Sequence, residues 1–171
     1  LGQKATEKLE AYGVEVDWLQ QNDKMTGQVN VTIDDTGSAS YEFATDTAWD
    51  NLSWSDDLVE LAAKTDAVCW GTLGQRCQPS QRTIEEFVSR TSPDCLRVLD
   101  VNLRPPFWTQ PLLKSSIQLA NVLKCNEEEL PILSDTFDLQ GDAWSIMMQL
   151  QKRFALKLVA VTRGDRKSTR L

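Results

Sequence analysis

Two short apolar runs in this chain end abruptly in residues that can bind and orient phosphate. The first, Leu96-Arg97-Val98-Leu99-Asp100-Val101-Asn102-Leu103-Arg104-Pro105-Pro106, exits through an acid, an amide and a guanidinium. The second, Asn121-Val122-Leu123-Lys124-Cys125-Asn126-Glu127-Glu128-Glu129-Leu130, exits through an ammonium, an amide and three acids. Ligands of open parallel sheets sit beyond the carboxyl ends of the strands, so two such exits direct chemistry to one edge. Arg104 offers planar donors to phosphoryl oxygens; it reads equally well as a solvated residue after a strand. Asn126 to Glu129 has the form N-x-x-E. Asn126 falls at a helix N-terminus, where backbone N–H groups and the helix dipole favour phosphate. Glu129, one turn on, faces the same way and can hold the water shell of Mg²⁺. The same residues also read as an Asn cap followed by an acidic first turn. Lys124 lies beside the same phosphates or is simply solvated.

The elements that must position these groups follow from periodicity. Residues 1–13 read as a helix end with Leu9 and Tyr12 on one face and Gly13 as its stop. Gln28–Ile33 and Ser38–Phe43 alternate around Asp34-Asp35-Thr36-Gly37, which predicts an antiparallel hairpin with one wet face. Tyr41 and Phe43 share a face of it. Helix and strand then alternate: a helix over Asp56–Lys64 with Ser55 as N-cap, a buried strand over Ala67–Gly71, and a helix over Pro79–Arg90. The Leu96 strand, a helix near Gln110–Ala120 and the Asn121 strand come next. A short helix over Glu127–Leu133, a longer one over Ala143–Phe154 and a strand over Lys157–Thr162 complete the pattern. Such alternation implies βαβ units closing into a parallel sheet. The fold class is therefore α/β: a mainly parallel central sheet flanked by helices, with a small antiparallel hairpin as a lid over the strand ends.

Composition narrows the function. The 171 residues carry a formal charge of −7, which gives no electrostatic support to a nucleic-acid or membrane-surface role. No apolar stretch approaches the roughly 18 residues of a membrane span. His is absent, so Ser-His-Asp, Cys-His and His-metal chemistry are excluded within this chain. Cys69, Cys77, Cys95 and Cys125 fit no zinc spacing and read as reduced, buried or half-buried thiols in a cytoplasmic protein.

The ordered set of motifs carries a resemblance. Thr26-Gly27, the turn at Asp35-Thr36-Gly37, Trp70-Gly71-Thr72-Leu73, Asp100-Val101-Asn102-Leu103-Arg104-Pro105, Leu123-Lys124-Cys125-Asn126-Glu127-Glu128-Glu129-Leu130 and Val161-Thr162-Arg163-Gly164 follow one another in that order. Their succession resembles the PfkB (ribokinase-like) carbohydrate kinases, above all the fructokinase branch. The resemblance implies transfer of the γ-phosphoryl of ATP, with Mg²⁺, to a sugar hydroxyl. It implies that Asn126 and Glu129 organise phosphate and Mg²⁺, Glu129 contacting the metal indirectly. Lys124, Thr162 and Gly164 face the nucleotide, and Asn102 and Arg104 face the sugar and the transferred phosphoryl group. Gln28 and Phe43, with Tyr41, are the lid residues that cover sugar; packing of the hairpin or a homodimer through it is the competing role. Gln75 and Arg76 are further pocket residues.

The family domain is expected over residues 1–164, with the lid near 25–45 and a non-family tail at 165–171. The resemblance starts after the family's N-terminal strands, which carry a substrate-binding Asp and a Gly-Gly segment. Its G-A-G-D motif, source of the catalytic Asp, has no counterpart here. The chain is thus expected to be an inactive fragment without its own base. Kinases of 2-keto-3-deoxygluconate or nucleosides, and a noncatalytic sugar- or nucleotide-binding relative, are the alternatives.

Overall fold

A computed structural model describes residues 1–35, 37, 39–163 and 166–170. The chain divides into two compact units, Leu1–Ser53 and Trp54–Leu171. The first holds helix α1 (Gly2–Ala11) and an antiparallel pair, β1 (Val29–Ile33) and β2 (Ala39–Phe43). Gly13, at φ +76°, ends α1 in the left-handed conformation that glycine adopts without strain. Val29 pairs with Phe43 and Val31 with Tyr41, so the apolar side chains fall on one face, opposite Asn30, Thr32 and Glu42. That apolar face is also wet: Val31, Ile33 and Tyr41 are each more than half exposed. The alternation was legible, but not that both faces stay accessible.

The second unit is a five-stranded sheet in the order β3-β4-β5-β6-β7. Its strands are β3 (Ala67–Gly71), β4 (Leu96–Asp100), β5 (Val122–Asn126), β6 (Leu158–Arg163) and β7 (Arg166–Arg170). The first four run parallel and β7 pairs antiparallel with β6. Its helices are α2 (Asp57–Lys64), α3 (Gln78–Ser89), α4 (Gln110–Leu119), α5 (Glu129–Thr136) and α6 (Ala143–Phe154). β3 to β6 are laid down in chain order. Each right-handed crossover therefore steps the same way and puts its helices on the same face. Trp70, Leu99, Val101, Leu123, Cys125, Val159 and Val161 point to that face. They form one core with Val88, Leu113, Ile117, Leu133, Met147 and Leu150 from the helices.

The opposite face is thinly covered. Ala67 and Cys69 are exposed, Leu96 is 45% exposed, and Val98, Val122 and Ala160 are half-buried. Parallel sheets are ordinarily covered on both faces. β3 is thus an edge strand, not the buried strand its apolar run predicts, and Cys69 is solvent-facing. Two further differences are local. α2 is entered through Asp56 without a side-chain cap, so Ser55 does not cap it. β7 was not anticipated: Arg166-Lys167-Ser168-Thr169-Arg170 carries no apolar signal, and its pairing lies in the backbone.

Gly71 closes β3 against β4. A β-carbon there would sit 2.8 Å from the Asp100 carbonyl oxygen, a clash with backbone that only strand separation relieves. Gly71→Ala should lower the urea midpoint followed by tryptophan fluorescence, with a loss of about 1–3 kcal/mol. An unchanged midpoint would show that the two strand ends are not in this close register.

Candidate active-site edge

The carboxyl ends of β3 to β6 are laced together by polar groups. Asn126 closes β5, and a turn through Glu127 and Glu128 leads into α5. The Asn126 Oδ1 accepts the backbone N–H of Glu128 at 2.9 Å and of Glu129 at 2.8 Å. Glu129 Oε2 reaches back to accept the Asn126 N–H at 2.8 Å. This reciprocal pair is a capping box built on Asn. Pro131 in the first turn costs no bond, since that N–H has no intrahelical acceptor. The amides of 128 and 129, at the helix entry where the sequence expects phosphate to be favoured, are therefore already satisfied by Asn126.

Glu129 does more than cap. Its Oε1 accepts the N–H of Leu103 at 2.7 Å, across from β5 to the loop that leaves β4, and the residue is 4% exposed. From the other side, the fully buried Thr72 beyond β3 donates its hydroxyl to the Val101 carbonyl at 2.9 Å. The Glu127 N–H bonds the Thr162 carbonyl at 3.1 Å, joining the end of β6. Sequence reasoning quoted Thr72 but gave it no role. A small hydroxyl residue directly after a strand-ending Gly was the available signal.

The sequence-predicted residues divide accordingly. Asn102, Arg104, Lys124, Asn126, Glu129 and Thr162 all stand at this one edge. Asn102 and Thr162 are half-buried, and Thr162 lies opposite Asn126 in the sheet register. The side-chain amide of Asn102 and the Nδ2 of Asn126 meet no protein partner among the described residues, so both are available to a ligand. Lys124 instead forms a double contact with Asp100, at 2.9 and 3.0 Å. Because each partner is about a third exposed, the pair contributes at most about 1 kcal/mol and can open toward an anion. Gln28 and Phe43 belong to the first unit. There the Gln28 carbonyl accepts the Ala44 N–H at 3.1 Å, and the Phe43 ring lies 6.5 Å from that of Trp49. Gly164 lies outside the described residues. Gln75 is 1% exposed and bonds the Gly71 carbonyl and Ser116, which makes it an interior linker and not a pocket residue.

An open cavity of about 420 Å³ adjoins the edge, lined by apolar Leu130, Pro131, Ile146 and Val161 and by charged Glu127 and Arg163. A larger groove of about 630 Å³ runs between α3 and α4, but it lies on helix surfaces, away from the strand ends where this topology gathers free polar groups. Among the described residues no cluster of three or more His, Cys, Asp or Glu can hold a metal. Both Glu129 oxygens already serve backbone donors. Direct coordination of a resident Mg²⁺ does not fit; a cation brought by a phosphate ligand, with its own waters, does.

The model of the pfkB family carbohydrate kinases matches residues 1–168. The chain belongs to that family. Among curated relatives, a fructokinase of Salmonella typhimurium is 31% identical over 146 residues, 81% of this chain and 46% of the relative. The crystal structure of a fructokinase with bound ATP from Xylella fastidiosa superposes with a TM-score of 0.81 at 19% identity, covering all of this chain and 56% of that one. A nucleoside kinase of Burkholderia thailandensis in complex with inosine shares the fold at a TM-score of 0.68 and 19% identity, over 99% of this chain and 50% of that one. The chain thus spans about half the length of the relatives it matches.

Burial, with a carboxylate of this edge adding to it, sets the reactivity of two cysteines. Burial, then the Asp100 carboxylate, raises the exposed Cys69 thiol above the ordinary range. Burial, reinforced by Glu129, pushes Cys125 up to about 12. With a chromogenic disulfide at pH 8, Cys69 should react before Cys125 and more slowly than a free model thiol. Its rate should climb toward tenfold per pH unit as the thiolate fraction grows. Cys125 should react only after denaturant is added. Labelling of Cys125 in the folded protein would contradict this burial.

Proposed function

We propose that this chain forms the phosphate- and sugar-orienting edge of a fructokinase-like kinase, in which the γ-phosphoryl of ATP passes to a sugar hydroxyl. The observation that carries the reading is the edge itself. Consecutive parallel strand ends are locked together while the amides of Asn102 and Asn126 are left for a ligand. Asn126 and Glu129 organise the phosphate side and the Mg²⁺ that arrives with ATP, Glu129 without direct ligation. Lys124, Thr162 and Gly164 serve the nucleotide. Asn102 and Arg104 serve the sugar and the phosphoryl group in flight, whose charge suits a guanidinium. Within the first unit, Gln28 and Phe43 are its own candidates for sugar contact.

Holding phosphate is one part of phosphoryl transfer; taking the hydroxyl proton is another. The family's G-A-G-D Asp has no counterpart among the 171 residues, and we read the chain by itself as a binder without turnover. The likeness to an inosine-bound nucleoside kinase supports a nucleoside acceptor as the second reading, with 2-keto-3-deoxygluconate kinases as a further variant. The exposed apolar face of the hairpin supports pairing of two copies through β1 and β2. Free cysteines support a reducing, cytoplasmic setting.

Purified chain with Mg²⁺ and ATP should phosphorylate neither fructose nor a nucleoside in a coupled assay. Calorimetry should still detect saturable binding of the nucleotide, weakened about tenfold, or 1.4 kcal/mol, by Arg104→Ala. Sedimentation of the same sample should show a dimer that Ile33→Asp dissociates. Turnover by the chain would contradict the inactive reading, absence of nucleotide binding the kinase-edge reading, and a monomer the hairpin pairing.

A further inference from the structure

The backbone at the end of β4 is held in an unusual conformation by neighbours on both sides. Asn102 has φ +41°, in the left-handed region where a non-glycine residue is uncommon and Asn is among the better tolerated. That conformation turns the chain so that Leu103 points into the core, 5% exposed, while Asn102 and Arg104 remain half-buried at the rim. Thr72 fixes the carbonyl of Val101, in the peptide before Asn102, and Glu129 fixes the N–H of Leu103, in the peptide after it. The Glu129 carboxylate spends one oxygen on Leu103 and the other on Asn126. One buried side chain therefore ties two different strand ends together. Bonds from N–H groups to a carboxylate are shorter and about twice as strong as neutral ones, which suits them to holding a strained residue.

We propose that Glu129 is a positioning residue. By gripping the Leu103 N–H it holds Asn102 in its left-handed conformation and presents Asn102 and Arg104 to the same ligand that meets Asn126. The functional half of this inference rests on the kinase-edge reading above; the tether itself does not. A pure helix cap would need only Oε2 and Asn126, and would leave the β4 loop indifferent to residue 129.

Nuclear magnetic resonance on the full chain separates the two roles. Glu129→Gln keeps the size but offers one acceptor where two donors wait. Hydrogen exchange at the Leu103 amide should accelerate at least tenfold, and the Asn102 carbon shifts should move toward those of ordinary backbone. Asn126→Ala removes the other half of the cap and should leave the Leu103 and Asn102 signals in place. If Glu129→Gln does not fold, Glu129→Asp keeps the charge, shortens the reach by about 1.5 Å and should release Leu103 in the same way. The affinity for ATP with Mg²⁺ should fall about tenfold in the Glu129 variant, as in Arg104→Ala. Unchanged Leu103 and Asn102 signals would overturn the tether. So would equal changes in Asn126→Ala, which would reduce Glu129 to a cap. Release of Leu103 with undiminished ATP affinity would overturn the positioning role. A parent chain that binds no ATP would refute the kinase-edge reading, and the exchange data would still decide the tether.

Discussion

Four parallel strands laid down in chain order, joined by crossovers for which the right hand is the rule, determine where the other parts of the second unit can lie. The handedness places α3 to α6 on one face, so the core gathers there and the opposite face keeps only its strand side chains. Parallel direction puts every carboxyl end on the same edge. It also leaves that edge with a surplus of backbone donors and acceptors, because each strand stops and the chain turns away. Buried backbone groups without partners are costly, and the edge is built around satisfying them.

The satisfaction is economical in residues. Thr72, Asn126 and Glu129 absorb N–H and carbonyl groups at the ends of β4 and β5, and at the opposite end of the sheet Asn121 does the equivalent. Its side chain accepts the Arg97 N–H and donates to the Cys95 carbonyl, both at 2.8 Å. The two ends nevertheless differ in what they leave over. Asn121 is 5% exposed with both the oxygen and the nitrogen of its amide bonded to backbone. At the carboxyl end the Asn102 and Asn126 amides remain available, beside a lysine held by a half-buried pair. A similar device closes both ends of the sheet, and among the described residues the carboxyl end keeps the unpaired side-chain amides.

Much of this was legible in the sequence. β4, β5 and α6 announce themselves by period and flanking turns, and the N-x-x-E spacing announces a helix entry. What was not legible depends on neighbours distant in the chain. Glu129 reads as a first-turn acid; that its second oxygen reaches Leu103 follows from the pairing of β4 with β5. Cys69 sits in an apolar run indistinguishable from a buried strand, and becomes exposed because β3 is an edge whose outer face lacks helices. The left-handed Asn102 follows no local pattern, for Asn-Leu-Arg is not a turn signature. Membership of the pfkB family was readable from the order of short motifs, none of which would have sufficed alone.

The central claim is that the carboxyl edge of β4 to β6, and not the larger groove between α3 and α4, receives the phosphates. Chemical-shift mapping of the isotopically labelled chain during titration with ATP and Mg²⁺ tests it directly. The account predicts saturating shifts at Asn102 to Arg104, Lys124 to Glu129 and Thr162, with the amides of Arg82 to Ser89 undisturbed. Shifts confined to α3 and α4, with the strand ends silent, would contradict it.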